Sequence, residues 1–132
     1  MYFLDTNTCI YFLNGRYESV KNMLLSTPPN EIGIPVIVKA ELLLGVQKST
    51  RIEENLHKVE EFLQPFKVVS FSDNMAYTYA KIREQTESKG TPIGPNDLFI
   101  ASIVMFSGGT LITHNVKEFE RIEGLKINDW VR

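Results

Sequence analysis

The sequence predicts an α/β fold in which a central, mostly parallel sheet of four to five strands lies between layers of helices. Short apolar runs alternate along the chain with longer helical stretches, which is the pattern of βαβ units. The length of 132 residues suits one domain, 1–132, and is enough to bury a core without disulfides or a structural metal. We therefore expect a single three-layer domain.

The strands are expected where short runs are rich in aromatic, aliphatic or β-branched residues. Tyr2-Phe3-Leu4 is the first, because this run is apolar and ends at the charged Asp5. The next three are expected at 31–35, 68–71 and 110–113, and an edge strand is expected at 125–128.

Helices are expected between the strands, where apolar residues recur every three or four positions. In 51–64 they recur at spacings of four, three and four, which indicates an amphipathic helix. Ser72-Asp73 is the expected cap of a helix ending near 88, and Asn96 is the expected cap of a buried helix. The remaining helices are expected at 8–13, 17–25, 36–47, 97–107 and 116–122.

Composition indicates a globular protein, with 43% hydrophobic and 23% charged residues. Cys9 is the only cysteine, so an internal disulfide and a thiolate zinc site are excluded, and we expect it to be buried. The first residues lack the basic start and long apolar stretch of a signal peptide. The longest nearly apolar run, 98–106, is too short for a bilayer. We expect a cytoplasmic protein with no membrane contact.

The net charge of −2 argues against a protein that binds nucleic acid through overall charge alone. This objection weakens if acidic side chains hold divalent cations, because the cations would reverse the local field. Lysines and arginines are scattered without interleaved aromatic residues, so the sequence predicts no specific RNA-reading patch.

Three acids fall where a ligand site is expected. Asp5 follows the first strand, and Asp97 begins a buried helix. Glu41 shares a helix face with core residues, where an unpaired carboxylate would cost several kcal/mol. His114 and Asn115 follow the fourth strand, and in parallel sheets the ligand crevice lies beyond the carboxyl ends of the strands.

Converging carboxylates repel each other, and a divalent cation relieves that repulsion. Oxygen ligands favour Mg²⁺ or Mn²⁺ over zinc, and such a site leaves room for a phosphate oxygen and a water. Hydrolysis of a phosphodiester is therefore the expected reaction. Thr6 and Thr113 are candidates to form hydrogen bonds to the carboxylates or to metal-bound waters without binding the metal themselves. His114 is a candidate general base.

Each acid also has a purely structural interpretation. Asp5 and Asp97 could serve only as charges and caps at helix starts, and Glu41 could pair with a buried lysine or arginine. Two other α/β classes fit less well. A receiver domain needs a carboxylate pair after the first strand and a lysine after a late one, and a flavodoxin-like module needs a phosphate loop after the first strand.

Four segments carry a resemblance to a known family. They are FLDTN around Asp5, KAELLLG around Glu41, GTPIGPNDLFIA around Asp97 and TLITHNVKEFERIEGL around Asn115, and together they span positions 3–125. Their order and spacing resemble the VapC toxins of bacterial type II toxin–antitoxin modules, which are PIN-domain ribonucleases. The closing residues NDWVR resemble the enteric branch of that family.

The resemblance implies a PIN fold, often dimeric, and Mg²⁺- or Mn²⁺-dependent RNA cleavage that leaves 5′-phosphate and 3′-hydroxyl ends. It implies a VapB antitoxin whose C-terminal segment occupies the groove near the acids, and initiator tRNA, cut in the anticodon stem-loop, as the substrate. Two alternatives stay open. One is a PIN nuclease acting on ribosomal or messenger RNA outside a toxin system, and the other is a PIN domain that only binds RNA or a partner.

Carried over residue by residue, the resemblance makes Asp5, Glu41 and Asp97 the metal-holding acids. Asn115 stands where many PIN domains have a fourth acid. Because an amide is a neutral ligand, we expect one firmly bound metal and a second that arrives with substrate.

Overall fold

The computed structural model describes residues 1–131, which contain one five-stranded sheet. The strands are β1 (Tyr2–Leu4), β2 (Ile32–Pro35), β3 (Lys67–Val69), β4 (Thr110–Ile112) and β5 (Lys126–Asn128). They lie in the order β3-β2-β1-β4-β5, and every neighbouring pair is parallel. The predicted α/β class with a central parallel sheet is confirmed.

The strands are connected mainly by helices, and each predicted helix is present, the one at Val36–Gln47 with its predicted ends and the others with shifted ends. They are α1 (Thr6–Asn14), α2 (Glu18–Ser26), α3 (Val36–Gln47), α4 (Ile52–Leu63), α5 (Met75–Ser88), α6 (Pro95–Phe106) and α7 (Val116–Phe119), with a 3₁₀ turn at Pro29–Glu31. None of the helices in residues 1–131 has the length and apolar character needed to cross a bilayer.

The sheet reverses its direction of growth between β1 and β4. From β1 the chain adds β2 and then β3 on one side, and it then crosses to add β4 and β5 on the other side. In open parallel sheets, ligands bind beyond the carboxyl ends of the strands at such a reversal point. Asp5 directly follows β1 and Thr113 directly follows β4, so both residues lie at this crevice.

Helix α6 is buried, as its apolar sequence predicts. Its buried residues are Leu98, Ile100, Ala101, Ser102, Ile103 and Val104. Burial on so many sides fixes the helix firmly in the molecule. The first turn of α6, which carries Asp97, is therefore held in a defined position.

Helix α1 begins at Thr6, two residues earlier than predicted. Asp5 is its N-cap, and the side chain of Asp5 accepts a hydrogen bond from the backbone N–H of Thr8. An aspartate in this position satisfies one of the free N–H groups of the first turn. The first strand and the first helix are thus joined through one carboxylate.

Two predicted helix caps are wrong. Asn96 is not a cap, because α6 begins at Pro95, whose fixed φ and missing N–H suit the first helical position. Ser72 and Asp73 form a turn before α5, and the Ser72 carbonyl accepts the N–H of Met75. Neither the Ser72 nor the Asp73 side chain makes the expected capping hydrogen bond to α5.

The third strand ends two residues before its predicted end at Phe71. Its last residue, Val69, pairs with Pro35, where β2 also ends. The ring of Phe71 then packs edge-on against Phe99, with 5.0 Å between the ring centroids, and also contacts Tyr79. Aromatic packing outside the sheet therefore replaces the expected continuation of the strand.

The ring of Phe3 lies against two glycines: Gly33, its partner on β2, and Gly109, which directly precedes β4. A Cβ atom built on Gly33 would lie 2.7 Å from Cε1 of Phe3. One built on Gly109 would overlap the opposite edge of the ring and lie 2.9 Å from the carbonyl oxygen of Met1. Phe3 is only 1% exposed, so the ring has little freedom to move away.

We expect Gly109→Ala to lower the free energy of unfolding by about 1–3 kcal/mol, the usual cost of overpacking a core. Gly45→Ala in α3 is the matched control, because nothing lies within 4 Å of its Cβ position. Alanine favours a helix by roughly 0.5–1 kcal/mol over glycine, so this control should match or exceed the wild type. Urea unfolding followed by circular dichroism measures both, and a fully stable Gly109→Ala variant would contradict the described packing.

Candidate active site

Asp5 is held at the carboxyl end of β1 by donors on both of its oxygens. Oδ1 accepts the backbone N–H of Thr8 at 2.8 Å, and Oδ2 accepts the hydroxyl of Thr113 at 2.5 Å. The Thr8 hydroxyl donates to the carbonyl of Ile112 at 3.1 Å, which ties the same helix to β4. Burial raises the pKa of Asp5, and these hydrogen bonds offset part of that rise.

Glu41 reaches the same crevice from α3. Its carboxylate is half-buried and accepts the hydroxyl of Thr6 at 2.7 Å. Its negative charge helps to raise the pKa of both Asp5 and Asp97. The alternative of an ion pair is wrong, since within residues 1–131 no lysine or arginine lies within 4 Å of Glu41.

Asp97 lies in the first turn of α6, close to a fourth carboxylate, that of Glu118 on α7. Burial, the charge of Glu118 and a hydrogen bond between the two carboxyl groups raise the pKa of Asp97 to about 7. Two carboxylates in hydrogen-bond contact do not both ionise readily. The carboxyl group of Asp97 therefore stays largely protonated below about pH 7.

Asn115 lines the cavity described below and connects the end of β4 to the carboxylate of Glu118. Its backbone N–H donates to the hydroxyl of Thr113 at 3.0 Å. Its side-chain Nδ2 donates to Oε2 of Glu118 at 2.6 Å. Thr113 thus bonds to both Asp5 and Asn115, and Asn115 in turn fixes Glu118 in the direction of Asp97.

A cavity of about 120 Å³ brings these groups together. Its lining consists of Asp5, Thr6, Asn7, Glu41, Asp97, Asn115 and Phe119. Four other clefts, of about 340 to 490 Å³, are larger, but each has a mainly apolar wall and none contains more than one of these acids. The small cavity brings three carboxylates together in a mainly polar wall.

The donors at this cavity fit a hard divalent cation, because they are carboxylate and amide oxygens. Across residues 1–131, no three His, Cys, Asp or Glu side chains converge tightly enough to form a ready-made metal cage. The carboxylates instead relieve their mutual repulsion through donated hydrogen bonds and through the proton that Asp97 retains because of its raised pKa. Exchange of that proton for a cation would convert the pair into ligands.

His114 does not line the cavity of the acids, although it is the chain neighbour of Asn115, which does. Its Nδ1 lies 2.9 Å from Oδ2 of Asp129, and its ring contacts the rings of Tyr11 and Tyr17. This placement removes the geometric basis for the candidate general base.

The sequence reasoning missed Glu118. Asn115 and Glu118 are three residues apart at the start of α7, so they share a face, and this spacing was the available signal. The neighbouring charges of Lys117, Glu120 and Arg121 made the segment look like an ordinary solvated helix surface.

Comparisons with known proteins agree with the fold and the resemblance. The family model of the PIN domain matches residues 2–125. The chain is 42% identical over 131 residues to ribonuclease VapC2 of Rickettsia felis, covering 98% of both proteins. It is 37% identical over 130 residues to the tRNA(fMet)-specific endonuclease VapC of Salmonella typhimurium, covering 98% of this chain and 97% of that protein.

A solved structure gives the same result in three dimensions. The crystal structure of VapBC2 from Rickettsia felis bound to a DNA fragment from their promoter matches with a TM-score of 0.90 at 41% identity, covering 98% of each chain. The sequence-based resemblance is thereby confirmed over nearly the whole length. The chain belongs to the VapC ribonucleases of the PIN-domain family.

Proposed function

We propose that the endoribonuclease activity of this VapC chain depends on Mg²⁺ or Mn²⁺ held by Asp5, Glu41 and Asp97, with Glu118 as a fourth carboxylate. The observation that carries the proposal is the small cavity where Asp5, Glu41 and Asp97 meet, with Glu118 in hydrogen-bond contact with Asp97. Such a set of acids is unfavourable by itself and becomes favourable around a divalent cation.

The chain's own residues orient the ligands. Thr8 and Thr113 hold the carboxylate of Asp5 from two sides, and Thr6 holds Glu41. Such outer contacts fix the direction of ligand oxygens and preserve their basicity. A divalent cation bound here would supply a Lewis acid that stabilises charge on the phosphodiester and promotes ionisation of water.

Glu118 supplies a fourth carboxylate beside Asp97, where the neutral side chain of Asn115 supplies none. Asn115 donates its amide to Glu118, so it acts here as a positioning residue for that carboxylate. Loss of the Asp97 proton when Asp97 becomes a ligand would make its carboxylate available beside that of Glu118. We propose that the four acids accept a second cation with the RNA phosphate, in addition to a first held by Asp5, Glu41 and Asp97.

The proposed substrate is tRNA, and more narrowly initiator tRNA cut in the anticodon stem-loop. Support comes from the Salmonella relative, which is named a tRNA(fMet)-specific endonuclease. The proposed partner is a VapB-type antitoxin whose C-terminal segment covers the groove near the acids, because the similar solved structure is a VapBC complex. A homodimer, a single domain over 1–132 and the cytoplasm stay predictions, and cleavage of ribosomal or messenger RNA stays the alternative.

We expect the purified chain to cut a total tRNA pool only in the presence of Mg²⁺ or Mn²⁺. Asp5→Asn and Glu118→Gln should each lose more than the roughly 10- to 100-fold that removal of a merely orienting group costs. Glu120→Gln is the matched control, because Glu120 is exposed on the same short segment. Gel mapping of the cut ends should show 5′-phosphates and 3′-hydroxyls.

Two results of this assay would contradict the proposal. One is cutting that persists in EDTA. The other is unchanged cutting by both Asp5→Asn and Glu118→Gln alongside an equally active control. Discrete cuts in ribosomal or messenger RNA, with tRNA left intact, would keep the metal site and replace the proposed substrate.

The raised pKa of Asp97 predicts how stability depends on pH in EDTA. Between pH 3.8 and about 7 the unfolded chain is ionised at Asp97 while the folded chain keeps the proton. The free energy of unfolding should therefore fall as the pH rises through this window. Asp97→Asn removes this loss, so the variant should be the more stable protein above pH 7 and should have no such advantage below pH 3.8.

Urea unfolding of both proteins across this pH range, with and without added Mg²⁺, measures the effect. Mg²⁺ should stabilise the wild type most at the alkaline end, where no proton competes for the carboxylates. Parallel pH profiles for the wild type and Asp97→Asn would show that Asp97 does not retain the proton.

A further inference from the structure

Beside the acid cavity, Tyr11, Arg16, Tyr17 and His114 form a second group, here called the aromatic–arginine cluster. Tyr11 lies on α1, Arg16 and Tyr17 connect α1 to α2, and His114 follows β4. The rings of Tyr11 and Tyr17 meet edge to face, with 4.9 Å between their centroids. The His114 ring lies 6.3 Å from Tyr11 and 6.2 Å from Tyr17.

Arg16 is held by the two tyrosines and makes no ion pair with an acid in the part of the chain that the structure describes. Its guanidinium carbon lies 5.4 Å from the ring centroid of Tyr11 and 5.2 Å from that of Tyr17, a cation–π arrangement. The Arg16 side chain is exposed. The other arginines of that part each donate to a protein oxygen: Arg51, Arg83 and Arg121.

His114 presents an oriented ring at the surface. Its Nδ1 is 2.9 Å from Oδ2 of Asp129, while 46% of its side chain is exposed. Oδ1 of Asp129 accepts the backbone N–H of Val131 at 2.9 Å, which fixes that carboxylate. These contacts fix the orientation of the His114 imidazole.

The cluster and the acid cavity share one loop. His114 stands between Thr113, which donates to Asp5, and Asn115, which donates to Glu118. A molecule with its reacting phosphate among the acids therefore has its neighbouring groups beside His114. The carboxylates of the cavity would repel the phosphates of RNA. The positive charge of Arg16 would offset part of that repulsion.

We propose that the aromatic–arginine cluster is a binding subsite for the RNA nucleotide next to the scissile phosphate. Arg16 contacts a backbone phosphate, and the ring of His114 stacks on a base; Tyr11 and Tyr17 hold both in position. Guanidinium groups and aromatic rings bind unpaired RNA in these two ways. The subsite rests on the proposed RNA cleavage and adds to it the residues that position the strand.

An acidic peptide is the competing occupant, because Arg16 could also pair with carboxylates. Three aromatic rings beside one cation favour a nucleotide, which offers a base and a phosphate together. A peptide carboxylate would use only the arginine.

The test measures binding of fluorescent tRNA to variants built in the non-cutting Asp97→Asn background, over a series of salt concentrations. Arg16→Gln should weaken binding and lower the slope of log affinity against log salt by about one, the value of one lost phosphate contact. Arg16→Lys should keep the slope, since lysine retains the charge. His114→Ala should weaken binding about 5- to 100-fold, as for one lost base stack, with little change in slope.

Arg51→Gln is the matched control, because Arg51 is exposed and pairs with Glu54, and it should leave affinity and slope unchanged. In the cutting-competent chain, Arg16→Gln should raise KM and change kcat little. Circular dichroism confirms that each variant is folded.

Three outcomes are decisive. Equal affinities and slopes for Arg16→Gln, His114→Ala and Arg51→Gln overturn the subsite, while metal-dependent cutting by the wild type leaves the proposed function intact. A loss confined to binding of a labelled oligoglutamate, with RNA binding unchanged, also overturns the subsite and assigns the cluster to an acidic peptide. Weakened RNA binding by Arg16→Gln in a chain whose wild type cuts no RNA supports the subsite and counts against the proposed function alone.

Discussion

Mutual repulsion between carboxylates is the constraint on which the rest of this structure depends. The parallel sheet reverses between β1 and β4, and this reversal opens a crevice at the carboxyl edge. Asp5 enters it from the end of β1, Glu41 and Asp97 enter from two different helices, and Glu118 on a third helix contacts Asp97. A single buried carboxylate can be satisfied by donors, but several together need a cation, a retained proton or both. The fold therefore brings together carboxylates that are stable only when their charge is compensated.

Asp5 shows how the site and the fold use the same contacts. It caps α1 through Thr8 and is tied to β4 through Thr113, so its structural interpretation as a helix cap is correct, while its role as a metal ligand stays a prediction. Asparagine also caps helices well, so an Asp5→Asn change removes charge while keeping much of the local geometry. Loss of activity in that variant would thus report on the charge of the ligand and not on the collapse of the first βα unit.

The sequence was sufficient to predict the sheet and two of the acids that lie on helices, Glu41 and Asp97, but not the third, Glu118. Glu41 and Asp97 could be found because each is an acid set into an apolar helix, which needs an explanation. Glu118 lies among other surface charges, so nothing in its own segment distinguishes it. The contact between Tyr11 and His114 joins positions about one hundred residues apart, and only the pairing of β1 with β4 brings them together. Glu41 and Asp97 could be predicted because an acid is unexpected in an apolar helix. Glu118 and the Tyr11–His114 contact look ordinary in the sequence, so only the tertiary structure identifies them.

The central claim is that these acids form a divalent-metal site, and a crystal of the chain grown with Mn²⁺ tests it most directly by anomalous scattering. The account predicts a strong anomalous peak within coordination distance of oxygens of Asp5 and Asp97, and no such peak in crystals of Asp5→Asn. A wild-type crystal without a peak at this cavity, from protein whose RNA cleavage requires Mn²⁺, would contradict the assignment and move the metal elsewhere on the molecule.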